Sequence, residues 1–526
     1  ASVLAKFSSE GGESPGGSGG PLEGWEQVLL QRLVTQELSG DTRSSRRQPR
    51  ASPLSKRAPA VESLAACEKR LRAVVVSTWV AEDAAEAVAQ AEELERGGDW
   101  AGAQVSYARS LSLGSPKPMD TATRLAWLLR VQGCSSEAEA VLRHALGLDP
   151  AGGDLDDDDM AVVAGPKAQL SAARRTALGR LVQLLIQDGR EEQAMQLLRC
   201  GGWRYRLAPW VLRYPLPADA QPQGFDPNVP LRVFDGALPQ PLLRHLADVL
   251  APKSAFWREH GYNEVAGCGE SGYFSYLHPL EGPPKSSMDL AARHVLELAK
   301  NHFPELAEAT SAEWWAHCRP HACGHQMHFD SDNEGIGGAL HPICSCVVYV
   351  DAPDGVGGPT LVTDQRLSDD SLATKGWLVY PKPGRLAIYD GSYLHGVVPG
   401  RGEPPASAAG AAQPRRITWM LAFWRQIKQR PFEEDGLAGS SRPLPDPAAA
   451  FETGTRRFTW HQKLALPLPG LLGDEAAAKL PLPSPVPMHM GVWVPVDEAG
   501  SNSSSSGSSK DTGAVPVPDY SECWQF

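Results

Sequence analysis

The feature that most constrains the fold is a segment between residues 314 and 424, where β-rich runs alternate with turns rich in Gly and Pro. Runs of β-branched and aromatic residues bounded by turn residues predict strands. The segment lies within residues 226–430, where strands, aromatic residues, Gly and His are densest. The runs and turns, in chain order, are Cys344–Val350, Asp351–Thr360, Pro381–Asp390, Gly391–Gly400 and Arg415–Trp424.

A His-x-Asp pair, His328 and Asp330, lies just before these runs. Alternate side chains of a strand point to the same side, so this spacing aims an imidazole and a carboxylate at one point. A second histidine from a distant strand, His395, would complete the facial triad that binds non-haem iron(II) and leaves three positions open. The pair alone is a weak signal, because chance predicts roughly one or two in a chain of this composition. Its specificity comes from the order of the elements that follow it.

The segment 314–424 resembles the catalytic core of the 2-oxoglutarate- and Fe(II)-dependent dioxygenases, close to their prolyl 4-hydroxylase branch. The shared elements follow one order: the His-x-Asp strand, a hairpin ending in Gly-Gly-x-Thr, a Pro-x-x-Gly-Arg-Leu strand ending in Asp390, a distal histidine and a basic residue. The resemblance implies a double-stranded β-helix, or jelly roll. It also implies iron held by His328, Asp330 and His395, with 2-oxoglutarate as cosubstrate and L-ascorbate as a further cofactor.

The chemistry that the resemblance implies is decarboxylation of 2-oxoglutarate by dioxygen to give succinate and CO₂, coupled to hydroxylation of a substrate. The far carboxylate of the cosubstrate needs a fixed cation, and a guanidinium grips a carboxylate through two hydrogen bonds. Arg416 and Thr418 alternate on one predicted strand, so both can face that carboxylate, whereas Arg415 points outward. Prolyl 4-hydroxylases commonly carry Lys at this position. In having Arg here, the chain resembles other branches of the superfamily instead.

Residues 62–200 are predicted to be helical, and a pattern of Gly, four residues and Ala recurs in them three times. The first two copies begin at Gly98 and Gly133, 35 residues apart, and the third begins at Gly189. This resembles the tetratricopeptide repeat, a helix pair of about 34 residues. A generic helical bundle is the alternative.

The fold class is therefore predicted to be α+β, a jelly-roll catalytic domain preceded by a helical repeat domain. The predicted parts are a disordered segment at 1–61, the helical domain at 62–200, a linker at 201–225, the dioxygenase domain at 226–430 and a Pro/Ser-rich extension at 431–526.

Composition limits the partners that this chain can bind. The net charge of −12 argues against nucleic acid and against an anionic membrane surface. No apolar run is long enough to predict a membrane span. Nine scattered cysteines do not form a disulfide framework, which favours a reducing, cytoplasmic location. The first residue is Ala, so an organelle-targeting segment is not excluded.

The predicted substrate is a protein side chain such as proline, with the helical repeats holding the substrate or a protein partner. Two other functions stay open: a non-catalytic scaffold, and an oxygenase that acts on a small molecule. A separate zinc site is a further hypothesis, because cysteines and histidines crowd the segment His317–His328. No Cys-x-x-Cys pair accompanies them, so the residues of this segment are expected to be structural or to line the cleft.

Overall fold

In the computed structural model helices come first along the chain and sheets of mainly antiparallel strands follow, which confirms the predicted mixture of α and β structure. The structure describes residues 83–164, 171–215, 229–269, 272–332, 340–405, 413–432, 437, 439–466, 470–471, 481–496 and 523–526. The predicted disordered segment 1–61 lies outside these residues. The chain divides into two units; the first is Ala1–Gly153, Ser171–Ala177 and Ser407–Ala412, and the second is Asp154–Leu170, Leu178–Ala406 and Gln413–Phe526.

The first unit contains two pairs of packed helices. They are α1 (Ala84–Arg96), α2 (Trp100–Ser112), α3 (Pro118–Val131) and α4 (Ser135–Leu146). Each pair turns at a glycine with positive φ, Gly98 at 78° and Gly133 at 87°, a conformation that favours glycine. Ala103 and Ala138 are fully buried, as expected where small residues let two helices approach closely. Assignment of these pairs to the tetratricopeptide repeat stays a prediction.

Three further helices follow, α5 (Asp157–Ala164), α6 (Ala172–Gln187) and α7 (Glu191–Cys200). Helix α6 belongs to the first unit through Ala177 and to the second from Leu178. The turn between α6 and α7 contains Gly189, again with positive φ, and Ala194 after it is fully buried. All three copies of the sequence pattern therefore mark a turn between two helices.

The second unit is built on sheets. Its other helices are α8 (Pro209–Leu212), α9 (Gln240–Val249), α10 (Ala255–Glu259) and α11 (Ser287–Lys300), with short 3₁₀ helices at Pro304–Glu308 and Trp460–Leu464. Its strands are β1 (Tyr205–Leu207), β2 (Leu231–Phe234), β3 (Phe274–Pro279), β4 (Ser311–Pro320), β5 (His325–His328), β6 (Cys344–Asp351), β7 (Thr360–Arg366), β8 (Lys375–Val379), β9 (Leu386–Asp390), β10 (Tyr393–Val397), β11 (Arg415–Trp424), β12 (Gly439–Pro443), β13 (Phe451–Thr453), β14 (Arg456–Phe458), β15 (Met488–Met490), β16 (Trp493–Pro495) and β17 (Cys523–Trp524).

Eight of these strands, β4 to β11, form the centre of two sheets. The seven-stranded sheet has the order β12-β3-β4-β11-β6-β9-β2, and the five-stranded sheet has the order β15-β8-β7-β10-β5. Each sheet contributes four antiparallel neighbours to this centre, β4-β11-β6-β9 and β8-β7-β10-β5. This is the strand order of a jelly roll, in which two sheets enclose an interior.

Strand β11 shows how side-chain alternation separates the core from the interior. Ile417, Trp419 and Leu421 are fully buried in a cluster with residues of helices α9 and α11. Burying each large apolar side chain contributes about 1.5–3 kcal/mol, so this face fixes the register of the strand. The alternate residues therefore point to the other face, which lines the interior between the two sheets. Arg416 and Thr418 are among them.

Parts of the chain predicted as linker and extension also form strands, some in a separate three-stranded sheet, β16-β1-β17, and some at the edges of the two larger sheets. Strand β1, within the predicted linker 201–225, pairs with β16 and β17. From the predicted extension, β12 pairs with β3 and β15 with β8. These strands are two to five residues long and lie among prolines, so no hydrophobic period could reveal them.

None of the helices in the described part of the chain combines the length and apolarity that membrane crossing requires. The eight cysteines in this part all have free thiols.

Candidate metal and cosubstrate site

The structure brings together the three predicted metal ligands. Strands β5 and β10 are antiparallel neighbours, and His328 lies directly opposite His395. Nε2 of His328 is 3.5 Å from Oδ1 of Asp330, and Nε2 of His395 is 3.7 Å from Oδ2. The three ligand atoms all lie within 4.8 Å of one another, and within the described ranges no other group of three His, Cys, Asp or Glu does so. The spacing suits one metal ion with open positions.

Backbone hydrogen bonds set the orientation of both imidazoles. The Nδ1–H of His328 donates to the carbonyl of Gln326 at 2.8 Å, and the Nδ1–H of His395 donates to the carbonyl of Tyr393 at 2.9 Å. With Nδ1 protonated in each ring, the lone pair of Nε2 faces the cluster. Holding the second nitrogen in this way fixes the tautomer of a metal-binding histidine.

Asp330 is held by a residue that sequence reasoning did not identify. The hydroxyl of Ser345 on β6 donates to Oδ2 at 2.6 Å. Burial acts to raise the pKa of Asp330, but the imidazoles of His395 and His328 and the Ser345 hydroxyl outweigh it and hold the pKa well below its usual range. Burial and the neighbouring His328 lower the pKa of His395 to about 4. At neutral pH the site therefore offers a carboxylate and a neutral imidazole, the forms that bind metal.

Arg416, the predicted cosubstrate anchor, is 3% exposed on the inner face of β11. Its Nη1 donates to the carbonyl of Gly358 at 2.9 Å, and its Nε has no hydrogen-bond partner. No carboxylate within the described ranges forms an ion pair with this guanidinium, and burial lowers its pKa. Arg415, on the opposite face, pairs instead with Glu264 at 2.5 Å. A buried cation without an anion is costly, so Arg416 fits the far carboxylate of a dicarboxylate ligand.

Residues around Arg416 form the wall of this pocket. Thr418, the second predicted anchor, is buried two residues further along the same face, opposite Tyr349 of β6. The Tyr349 hydroxyl donates to the carbonyl of Val379 at 3.0 Å and shares a hydrogen bond of 2.7 Å with Thr360. Thr360 ends the Gly-Gly-x-Thr motif, so this hydrogen bond links the hairpin to the wall of the pocket.

Neighbouring atoms lie so close to the two glycines of that motif that a side chain at either position would meet them. Gly357 has a φ of 78°, and a Cβ added to it would lie 2.9 Å from Nη1 of Arg416. A Cβ on Gly358 would overlap the backbone carbonyl of Val398. The motif therefore leaves room for the guanidinium and for the neighbouring strand.

Two further histidines continue from His328 along the interior. The His325 ring centroid is 4.7 Å from that of His328, and the His317 ring centroid is 5.2 Å from that of His325. Nδ1 of His317 is 3.0 Å from the hydroxyl of Tyr262. Burial, followed by neighbouring positive charges, lowers the pKa of both His317 and His325 well below the usual range, so both rings are neutral.

The structure does not support a separate zinc site in the segment His317–His328. The Nδ1 of His321 accepts the N–H of Gly357 at 3.0 Å, and its Nε2–H donates to the carbonyl of Arg401 at 3.0 Å. The thiol of Cys318 donates to Glu264 at 3.7 Å. Both nitrogens of His321 are thus used by the backbone, and His321 stabilises the hairpin.

Comparison with solved structures finds similarities to oxygenases. A prolyl-4-hydroxylase of Pseudomonas putida is 16% identical over 40% of this chain and 99% of its own, with a TM-score of 0.25. An oxidoreductase of the 2OG-Fe(II) oxygenase family from Burkholderia pseudomallei is 11% identical over 41% and 89%, with a TM-score of 0.22. HygX of Streptomyces hygroscopicus with iron bound is 9% identical over 41% and 91%, with a TM-score of 0.23. No family model and no curated protein matches the chain. Similarities this weak carry no functional argument.

Proposed function

We propose that this protein is an Fe(II)- and 2-oxoglutarate-dependent dioxygenase. His328, Asp330 and His395 would hold the iron, and Arg416 and Thr418 would hold the cosubstrate. The observation that carries the proposal is the coexistence, inside one jelly roll, of a His-Asp-His cluster and a buried guanidinium with no carboxylate partner in the described ranges. The first suits a divalent metal and the second suits an anionic ligand.

When bound, iron and 2-oxoglutarate supply the activation of dioxygen for hydroxylation of a C–H bond. The residues of this chain hold and orient them. Asp330 would contribute a carboxylate oxygen, and His328 and His395 would each contribute the Nε2 of an imidazole, so other positions on the metal would stay open. Arg416 would fix the far carboxylate through two hydrogen bonds. The apolar wall, with Tyr349 and Met420, excludes water from this end of the interior.

The proposed substrate is a protein or peptide side chain such as proline, and L-ascorbate is the proposed reductant. The order of the motifs from His328 to Arg416, which resembles prolyl 4-hydroxylases, supports both. We propose that the helical repeats bind the substrate or a protein partner, since helix pairs such as α1–α2 and α3–α4 offer a continuous surface. A cytoplasmic location is part of the same proposal.

The test measures iron binding and succinate formation from 2-oxoglutarate by the purified full chain. His328→Ala, Asp330→Ala and His395→Ala should each abolish both, because each removes one of three ligands. His144→Ala is the matched control, since His144 is exposed on helix α4 and should change neither. Undiminished turnover in any of the three ligand variants would show that the ligands are wrong.

The same assay separates the alternatives. A wild-type chain that binds no iron and forms no succinate would favour a non-catalytic scaffold. Succinate formation that small molecules stimulate and peptides do not would favour a small-molecule oxygenase.

A further inference from the structure

A buried carboxyl group, Glu313, lies on the inner face of β4 and has no role in the proposed iron and cosubstrate site. It is 5% exposed. The hydroxyl of Ser275 donates to its Oε1 at 2.5 Å, and the hydroxyl of Ser441 donates to the same atom at 2.9 Å. The Ser275 oxygen itself accepts the N–H of Ser441 at 2.7 Å. Both hydroxyl protons are thus directed to one oxygen of Glu313.

Glu313 forms no ion pair with any cation in the part of the chain that the structure describes. Arg430, whose backbone N–H donates to the carbonyl of Ser441, directs its guanidinium to the carbonyl of Asp332. Burial raises the pKa of Glu313, and the two serine hydroxyls only partly offset it. Glutamates are almost never fully buried unless they are paired, so a cationic partner is expected for Glu313.

The backbone at Ser441 is strained. Its φ is 54°, in the left-handed region that residues other than glycine rarely adopt. The pairing of β12 with β3 is irregular between Gly439 and Arg442, the stretch that contains Ser441. Strain of this kind persists where surrounding structure enforces it and often accompanies function. Here it places the Ser441 hydroxyl against Glu313.

Register places Glu313 beside the metal cluster. Ser345, which holds Asp330, lies opposite Ala422 of β11, and Ala422 lies opposite Glu313 of β4. Two strand spacings separate the backbones of Ser345 and Glu313, roughly 10 Å. Ala422, the residue between them, has a small side chain. Arg416 lies six residues from Ala422 along β11, so Glu313 is on the side away from the proposed cosubstrate anchor.

Two aromatic side chains accompany this carboxyl group. Trp315 lies two residues after Glu313 on the same face, and Tyr273 contacts it edge-on, with ring centroids 6.1 Å apart. Tyr273 is 42% exposed, so it forms the rim. Burial of its hydroxyl end raises the pKa of Tyr273, and the carboxylates of Glu313 and Asp330 raise it further. Aromatic faces beside a carboxylate form an environment that favours a cation.

We propose that Glu313, Tyr273 and Trp315 form a subsite for the ammonium or guanidinium group of a Lys or Arg side chain in a peptide substrate. The role of this subsite in catalysis rests on the proposed dioxygenase function. Binding of the cationic side chain does not depend on turnover and is measured separately.

The test is calorimetric titration of the full chain with blocked tripeptides, Ala-X-Ala. X is Arg or Lys, and the neutral counterparts carry citrulline or norleucine. We expect each cationic peptide to bind at least about tenfold more tightly than its neutral counterpart, because a hydrogen bond to a charged group stabilises by this amount or more. A preference for Arg over Lys, or the reverse, identifies which cation the subsite takes.

The decisive variant is Glu313→Gln, which keeps the acceptor for both serines and removes the charge. This variant should bind the cationic peptides about tenfold or more weakly than the wild-type chain does. Glu308→Gln, at an exposed ion pair with Arg425, removes the same charge and should change nothing. Tyr273→Leu is a substitution at the rim that leaves the Glu313 hydrogen bonds in place. It should weaken binding of the cationic peptides several-fold, and it provides the test if Glu313→Gln does not fold.

Three results would overturn the subsite: no preference for cationic over neutral peptides, equal binding by Glu313→Gln, or no binding of any peptide to the wild-type chain. If the dioxygenase proposal were wrong, the two assays, peptide binding and succinate formation, would give a different combination of results. Glu313-dependent binding in a chain that forms no succinate would refute the dioxygenase and leave the subsite standing. A chain that forms succinate but binds cationic and neutral peptides equally would refute the subsite and leave the dioxygenase standing.

Discussion

Replacing Arg416 tests the cosubstrate site most sharply, because among the described residues its guanidinium forms only one hydrogen bond, to the Gly358 carbonyl. In Arg416→Ala the far carboxylate of 2-oxoglutarate would be buried without the guanidinium proposed to pair with it. Removing one partner of a buried charge pair costs about 3–5 kcal/mol, equivalent to roughly two to four powers of ten in affinity. We therefore expect the KM for 2-oxoglutarate to rise at least about a hundredfold. Arg416→Lys should be intermediate, because an ammonium keeps the charge and loses the paired hydrogen bonds.

The assays are succinate formation at varied 2-oxoglutarate and thermal unfolding with and without it. At a ligand concentration of about 100 Kd, binding stabilises the wild-type protein by about 2.7 kcal/mol. Arg416→Ala should lose most of that stabilisation at the same concentration. Arg415→Ala is the matched control, since Arg415 pairs with Glu264 on the outer face. A KM that rises for Arg415→Ala and not for Arg416→Ala would refute the assigned face of β11.

Three further predictions test the support of the site. Ser345→Ala should lower iron affinity about 10- to 100-fold, as loss of a residue behind a metal ligand typically does, and a competitive chelator titration measures this. Gly357→Ala should raise the KM for 2-oxoglutarate by crowding Arg416, whereas Gly355→Ala, also at positive φ but without that contact, should not. A chain beginning at residue 154 should still form succinate in the absence of substrate. A chain beginning at residue 215 should unfold at a lower temperature than the chain beginning at 154, because it lacks β1 between β16 and β17.

The sequence was sufficient for those parts of the site that depend on local spacing. His328 and Asp330 are two residues apart, so the strand period alone places them on one side. The choice of Arg416 over Arg415 followed from the same period, and the structure buries Arg416 and pairs Arg415 with Glu264. His395 was found by its place in an ordered set of motifs. Whether these residues bind iron and 2-oxoglutarate stays a prediction.

Residues that support the site through strand register could not be predicted. Ser345 on β6 and Asp330 after β5 belong to different sheets, and no local pattern encodes the contact between them. The partners of Glu313 come from β3 and β12, which are far apart in the sequence. Strands β1, β12 and β15 were also missed, because they are short and lie in Pro-containing stretches whose composition indicates a linker.

The inner face of the sheet carries opposite charges at its two ends, and neither has an ion-pair partner in the described ranges. Arg416 and Arg319 lie opposite each other at one end of β11 and β4, and Ala422 and Glu313 lie opposite each other six residues further on, roughly 20 Å away. The cluster around Asp330 lies nearer the acidic end, because Ser345 holds it. Within the described ranges neither Arg416 nor Glu313 has an ion-pair partner, and their hydrogen bonds offset only part of the desolvation cost of burying each charge. A dicarboxylate at the basic end and a cationic side chain at the acidic end would each offset one cost. Together the two proposals therefore predict one orientation, with the cosubstrate beside Arg416 and a cationic side chain of the substrate beside Glu313.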